Sequence, residues 1–499
     1  MKVRHIAAAL FILAFAAVGW AAGKPVVSVP GASIIPAVAH TAGINSHWRS
    51  DVRIYNPDTA RARYDLFFTP SGVDGTQTGL QTSIDVDSHA TAALDDVLAS
   101  TFAIDHDAAG ALEIRPAGGA SAPVVTSRAY DVTANGTLGQ YVPAIPVAQF
   151  ARKGEIVSLQ QVAQSAAYRT NFGVVEGSGS EAAMNVRIFD DPGSKLAEFP
   201  LTLAPYEHIQ INSMLAEHGI AIDDARIEVE VTSDSGTIAP YASVIDKISN
   251  DPLLVPPVVP AKIAANTYYI PGIADLDTPS NAWRTDLRIY NGGLAQTYVV
   301  ATFLPAEGID RMTTGFAINP GEVKAFNGVV SSLFGLHNTG GALRIFTSLP
   351  QTTSLVVTAR TYDAKGGGTR GQFIPGAGTL AGGIVAGPPV ARLGGPPVEL
   401  LHVEQSERYR TNFGFAETNG QPATVRIDVT VADGRHATAT VDLAASEYRQ
   451  YNGLLHEMGL DNATNARLEA RVISGLGKVT TYASVIDNQT QDPTYIPAQ

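Results

Sequence analysis

Internal repetition constrains this chain more than any other feature. The string WRSDVRIYN beginning at Trp48 returns as WRTDLRIYN beginning at Trp283, and YRTNFG at Tyr168 returns unchanged at Tyr409. YASVID at Tyr241 recurs at Tyr482. Shifts of 235 and 241 residues mark a long unit that has been duplicated. Each half is itself double, because an aromatic-Arg-Ser/Thr-Asp/Asn core heads four segments, at Trp48, Tyr168, Trp283 and Tyr409. Those heads stand 120, 115 and 126 residues apart, which is a domain length and not a solenoid period.

Later landmarks keep one order in every copy. A polar residue precedes an apolar pair: Asp95 before Val97-Leu98, Asn212 before Met214-Leu215, Asn327 before Val329-Val330, Asn452 before Leu454-Leu455. Asp or Asn there is expected to cap a short helix whose apolar pair faces the core. An alternating strand follows, as in Arg226-Ile227-Glu228-Val229-Glu230. A hairpin then closes each copy, its first strand ending at Asp131, Asp246, Asp363 or Asp487 and its second in Val/Ile-Pro.

About six to eight short strands and one helical turn per copy predict an all-β chain. The expected architecture is four tandem immunoglobulin-like antiparallel β-sandwiches, each with one short helix, arranged as two A–B pairs. Closed barrels are the alternative. The expected limits are 30–145 for the first sandwich (A1), 152–257 for B1, 266–376 for A2 and 396–499 for B2. Gly/Pro/Ala-rich linkers separate them at 142–150, 252–265 and 375–397, and the last reads as a semi-extended spacer.

Residues 1–23 read as a signal peptide. Lys2, Arg4 and His5 make a basic start, an apolar run extends from Ile6 to Trp20, and Ala21, Ala22 and Gly23 offer a cleavage site. An uncleaved anchor helix is the other reading. No later segment approaches the ~20 apolar residues of a span, so no membrane span is expected after cleavage. The destination would be secreted, periplasmic or at the cell surface. The net charge of -13 opposes binding to nucleic acid or an anionic membrane. With no cysteine, disulfides, thiolate metal sites, a cysteine nucleophile and lipoprotein attachment are excluded.

The eye-catching residues are mostly the repeated ones. Arg49, Arg169, Arg284 and Arg410 each sit two positions before Asp51, Asn171, Asp286 or Asn412, on one face of a strand. An internal Arg–carboxylate pair, an Arg holding loop carbonyls, or a ligand clamp repeated per domain would each suit that spacing. Trp48 and Trp283, matched by Tyr168 and Tyr409, suit core or rim packing better than sugar stacking. Histidines are scattered, with no HExxH or paired spacing, and read as surface or loop residues; His208 aligns with Tyr448. No nucleophile elbow, Ser-x-x-Lys motif or phosphate loop occurs. Asp275, Asp277 and Asp286 could suggest calcium, although the first copy has His40 and Ala42 in the two loop positions. No catalytic, cofactor or metal residue is therefore assigned.

WR(S/T)D(V/L)RIYN, the GQ(Y/F)(V/I)P ending, and YASVID with its following Asp-Pro resemble an uncharacterised group of secreted bacterial repeat proteins of acidobacterial type. That resemblance implies export and repeat architecture and carries no activity. The functional expectation is a non-catalytic protein for adhesion, surface association or extracellular binding, with an unknown extracellular protein or glycan as partner and without a cofactor. The alternative is an extracellular hydrolase of glycan or protein with its site at a domain junction.

Overall fold

The computed structural model describes residues 23–43, 46–263, 265–307, 310–348, 354–380 and 383–499. The expected export segment thus lies outside the described residues, apart from Gly23. In the first copy the strands are β1 (Ser33–Gly43), β2 (Ser46–Tyr55), β3 (Ala62–Pro70), β4 (Leu80–Val86) and β5 (Thr91–Leu94). A short helix α1 (Val97–Phe102) leads to β6 (Ala108–Ala117), β7 (Val124–Thr133) and β8 (Gly136–Pro143). One sheet runs β4-β3-β6-β1 and the other β5-β2-β7-β8, joined where the end of β1 pairs with β2. Every named pairing is antiparallel, and copies 2, 3 and 4 repeat the same order. The fold is an all-β tandem array of immunoglobulin-like sandwiches, and the sheets are open, so the barrel alternative falls.

Alternation builds each sandwich. In copy 2 the third strand, Ala182–Phe189, buries Ala182, Met184, Val186 and Ile188 while the residues between them stay half-exposed. The apolar pairs after the fifth strand are all inside: Val97-Leu98, Met214-Leu215, Val329-Val330 and Leu454-Leu455. Their caps differ from expectation. The residue before each helix, Asp96, Ser213, Gly328 or Gly453, is left-handed and makes no side-chain cap bond. In three copies its N–H is instead accepted by the second strand, at Asp51 (2.8 Å), Asn171 (3.1 Å) or Asp286 (2.9 Å). Asp95, Asn212, Asn327 and Asn452 are turned elsewhere because the left-handed residue intervenes.

The linkers are not free spacers. Ile145–Pro146 pairs with β1, Ala377–Leu380 with the first strand of copy 3, and Ala391–Arg392 with the seventh strand of copy 4. The stretch expected to be semi-extended is thus largely used to cover sheet edges, where unpaired backbone groups would otherwise face water.

The copies close on one another. The first strand of each packs against the second-strand sheet of the next, and copy 4 returns to copy 1. A head-to-tail contact repeated with closure makes a ring. The four closing strands, β8, Pro252–Val255, Arg370–Pro375 and Pro493–Pro497, pack side by side around its middle.

Two repeated motifs interlock within this frame. A Cβ at Gly414 would lie 2.0 Å from the Tyr482 ring, and one at Gly173 2.1 Å from Tyr241. The glycine of YRTNFG therefore makes room for the tyrosine of YASVID, and that tyrosine reaches the core of the preceding copy. Gly414→Ala is expected to cost about 1–3 kcal/mol in urea unfolding. Combining it with Tyr482→Ala should relieve part of the clash, giving a coupling energy clearly different from zero in a double-mutant cycle.

Candidate functional site at the junctions between copies

Two repeated sequence signatures, YASVID…DP and TxGQ(Y/F)xP, are the halves of one clasp between different copies. Asp487 Oδ1 accepts the N–H of Gln489 at 2.9 Å, turning its own chain. Its Oδ2 accepts both the N–H (2.9 Å) and the hydroxyl (3.0 Å) of Thr137 in copy 1. Five residues on, Asp492 Oδ2 accepts the N–H of Gly139 at 2.6 Å. Copy 2 grips copy 3 in the same way: Asp246 takes the N–H and hydroxyl of Thr369, each at 2.8 Å, and Asp251 takes the Gly371 N–H at 2.7 Å. The glutamine of GQ turns to the other neighbour. Ser243 of copy 2 donates to Gln140 of copy 1 at 3.0 Å, and Ser484 of copy 4 to Gln372 of copy 3 at 2.8 Å.

Electrostatics reinforce the clasp. Arg128 lies over the Tyr409 ring at 5.8 Å and donates to Thr494 at 3.1 Å; Arg360 lies over Tyr168 at 5.1 Å and donates to its hydroxyl at 3.2 Å. The backbone and hydroxyl donors hold Asp246 and Asp487 below the ordinary carboxylate range despite their burial. Asp251 and Asp492 behave oppositely. Both are buried, burial pushes Asp492 up to about 7, and burial and the facing Asp492 carboxyl raise Asp251 well above its ordinary value. The Oδ1 of each has no other N–H or O–H donor among the described residues, and the two carboxyls lie within hydrogen-bonding reach of one another. One proton shared between them satisfies both.

Two cavities open off these junctions. The larger, about 930 Å³, is walled by the closing strands of all four copies, with Gln140, Tyr141, Leu254, Phe373 and Tyr495 among its lining. The smaller, about 450 Å³, lies between copies 1 and 4; Asp51, Arg53, Arg128, His402 and Glu404 are among its lining, beside apolar Val485 and Ile496.

The residues singled out from the sequence are placed as follows. Arg49 meets Asp96 at 3.0 Å and the Trp48 carbonyl at 2.8 Å; Arg284 meets Asp277 at 2.9 Å and the Trp283 carbonyl at 2.7 Å. Arg410 reaches Asn488 and Gln491 of its own closing turn, at 2.6 and 3.0 Å. None pairs with the Asp or Asn two positions on. Trp48 and Trp283 are half-buried, whereas Tyr409 and Tyr168 carry hydroxyls 3.2 Å from Thr137 and Thr369 of the clasped copies. Asp275, Asp277 and Asp286 are drawn apart, the first two toward Arg284 and the third to the Gly328 N–H.

Two histidines depart from the surface reading. His208 is buried between copies 1 and 2, 2.7 Å from the Ser71 hydroxyl and 3.0 Å from that of Tyr241, and burial pushes its imidazole down to about 4. His402 is buried in the smaller cavity, 4.0 Å from Asp51. The apolar strand Val398–Gln405 around His402 carried a signal of burial, and His208 carried one in its alignment with Tyr448, which is buried in copy 4.

No protein family matches the chain, and no curated protein does. A solved structure, the crystal structure of a tetra-tandem repeat in the extending region of a large adhesion protein, aligns at 13% identity over 92% of this chain and 97% of that one, with a TM-score of 0.10.

The carboxyl pair generates a pH prediction. A group whose folded pKa is raised stabilises the fold below its unfolded value, ~3.9 for Asp, and loses that contribution as pH rises through the folded value. The Asp492 contribution should therefore fade between about pH 4 and 7. Neutral His208 runs the opposite way over the same interval, so the comparison must be with a variant. In Asp492→Asn the amide donates to Asp251 at every pH. Its stability relative to the parent, from urea melts, should rise with pH, reaching a gain of about 1–3 kcal/mol at pH 8. Asp487→Ala strands the Thr137 donors and should cost at least about 2 kcal/mol, splitting the unfolding transition as copies 1 and 4 part.

Proposed function

We propose that this chain is a non-catalytic extracellular binding protein whose four sandwiches act as one closed body around an internal ligand site. The observation that carries this reading is the cavity of about 930 Å³ walled by all four closing strands. Its volume lies in the range of small-molecule sites, and its lining is dominated by Pro, Leu, Val, Ala and aromatic residues with a few amides, the make-up of a site for an elongated apolar ligand. Beads on flexible linkers would gain by avidity; four copies clasped by buried aspartates give up that freedom and gain preorganisation. The basic-apolar-small opening of the chain supports an extracytoplasmic destination.

Ala148 lines the cavity and is exposed at its rim. A set of long-chain fatty acids and a fluorescent apolar probe should bind the purified chain saturably, one per chain, and raise its melting temperature. Ala148→Trp should weaken that binding at least tenfold while leaving the unliganded melting temperature unchanged. Absence of saturable binding, or binding indifferent to Ala148→Trp, defeats the reading.

A further inference from the structure

The smaller cavity sits in a frame that the molecule builds twice. At the copy 4–copy 1 junction and at the copy 2–copy 3 junction, a bulge in the first strand turns one residue into a left-handed conformation and aims it at the next copy: His402 (φ 63) in one, Gln161 (φ 59) in the other. Pairing registers make three positions equivalent, His402 with Gln161, Glu404 with Ala163, and Asn465 with Asp224. At the copy 2–copy 3 junction these side chains close the space. Gln161 donates to Thr358 at 3.0 Å, and the Asp224 carboxylate pairs with Arg288. At the copy 4–copy 1 junction the same positions leave polar groups unspent. Asn465 cannot pair with Arg53 as Asp224 does with Arg288; Arg53 keeps only the contact that both arginines make, its Nη2 meeting Asp95 at 2.6 Å as Arg288 Nη2 meets Asn327 at 2.7 Å.

Unsatisfied groups gather in this cavity. Arg53 is 3% exposed and Ser127 1%, yet Arg53 Nε, Ser127 Oγ and Asn465 Oδ1 have no hydrogen-bond partner among the described residues. Buried polar atoms without partners cost free energy, so three around one cavity mark a place that something polar completes. The charged side chains, by contrast, already have hydrogen-bond or ion-pair partners. Arg53 has Asp95, Arg128 has Asp492 at 3.7 Å, Asp51 accepts from the Asp96 N–H and the Tyr130 hydroxyl, and Glu404 accepts from the Asn465 N–H at 3.1 Å. Carboxylates (Asp51, Asp95, Glu404) and guanidinium groups (Arg53, Arg128) line the same cavity, so a ligand of either single charge would meet like charge as well as opposite. Burial holds the His402 imidazole neutral, one ring nitrogen a donor and the other an acceptor. What remains open is therefore a mixed set of donors and acceptors. Hydroxyl groups, each able to donate and accept, suit such a set.

We propose that the copy 4–copy 1 junction is a binding site for a neutral saccharide, held by Asp51, Arg53, Ser127, His402, Glu404 and Asn465. The cavity of about 450 Å³ falls within the usual size of small-ligand sites. Its sister junction is the same frame with the site filled in.

The test is calorimetric titration of the purified full chain with a panel of neutral mono- and disaccharides, alongside glycine, glutamate, lysine and citrate as charged comparators. At least one neutral sugar should bind saturably. The triple variant His402→Gln, Glu404→Ala, Asn465→Asp copies the sister junction, so its side chains are compatible with the frame; it should weaken binding at least tenfold. Glu404→Ala alone gives a second reading should the triple variant misfold, with the same direction of effect. Failure of every neutral sugar to bind, tighter binding of a charged comparator, or affinity unchanged in a folded variant overturns the proposal. Cleavage of a bound sugar, lost in Glu404→Ala, would support the site and overturn the non-catalytic reading. The larger cavity is tested separately by Ala148→Trp, so the two proposals fail independently.

Discussion

Four buried aspartates hold this molecule in its shape. Asp246 and Asp251 in copy 2, and Asp487 and Asp492 in copy 4, accept the first backbone donors of the closing strand in a different copy. A backbone N–H at the end of a strand is an obligatory donor, and a carboxylate is the strongest acceptor that can be brought to it. Because each clasp joins copies that are successive around the ring, the two together decide that the sandwiches close instead of trailing in a line. The closing strands then meet, and both cavities exist only because they do.

The price of this arrangement is concentrated at Asp251 and Asp492. Two carboxyls face each other away from water, and their mutual repulsion is relieved by a shared proton. Asp246 and Asp487, a few residues away, are supplied with several donors each and remain ionised. The same residue type, repeated twice in one motif, thus has opposite protonation preferences, set by the number of donors that reach it.

Alternation of Trp-headed and Tyr-headed copies also acquires a reason. The tyrosine hydroxyl in copies 2 and 4 touches the threonine that the clasp holds, and its ring lies beneath Arg360 or Arg128. Copies 1 and 3 supply the clasped strand and need no hydroxyl at that place, so tryptophan fills it. Pairs of copies were legible as the repeating unit, but clasping runs between copy 2 and copy 3, and between copy 4 and copy 1, across the boundaries of those pairs.

The repeat spacing, the alternation of strands such as Ala182–Phe189, the buried pairs after the fifth strand and the closing hairpins were all readable from residue order, because each depends on neighbours within one copy. Motifs such as YASVID and GQ(Y/F)(V/I)P were visible as recurring strings, yet their partners lie more than a hundred residues away in another copy, and nothing local specifies that pairing. Side-chain helix caps at Asp95, Asn212 and Asn327 do not form, since the left-handed Asp96, Ser213 and Gly328 intervene and donate their N–H groups to a strand some forty residues earlier. His402 and Glu404 looked unremarkable for the same reason. Local order determines which side chains are buried and which strands form; only the closure of the ring decides which buried polar groups face one another, because that depends on how four separately formed surfaces meet.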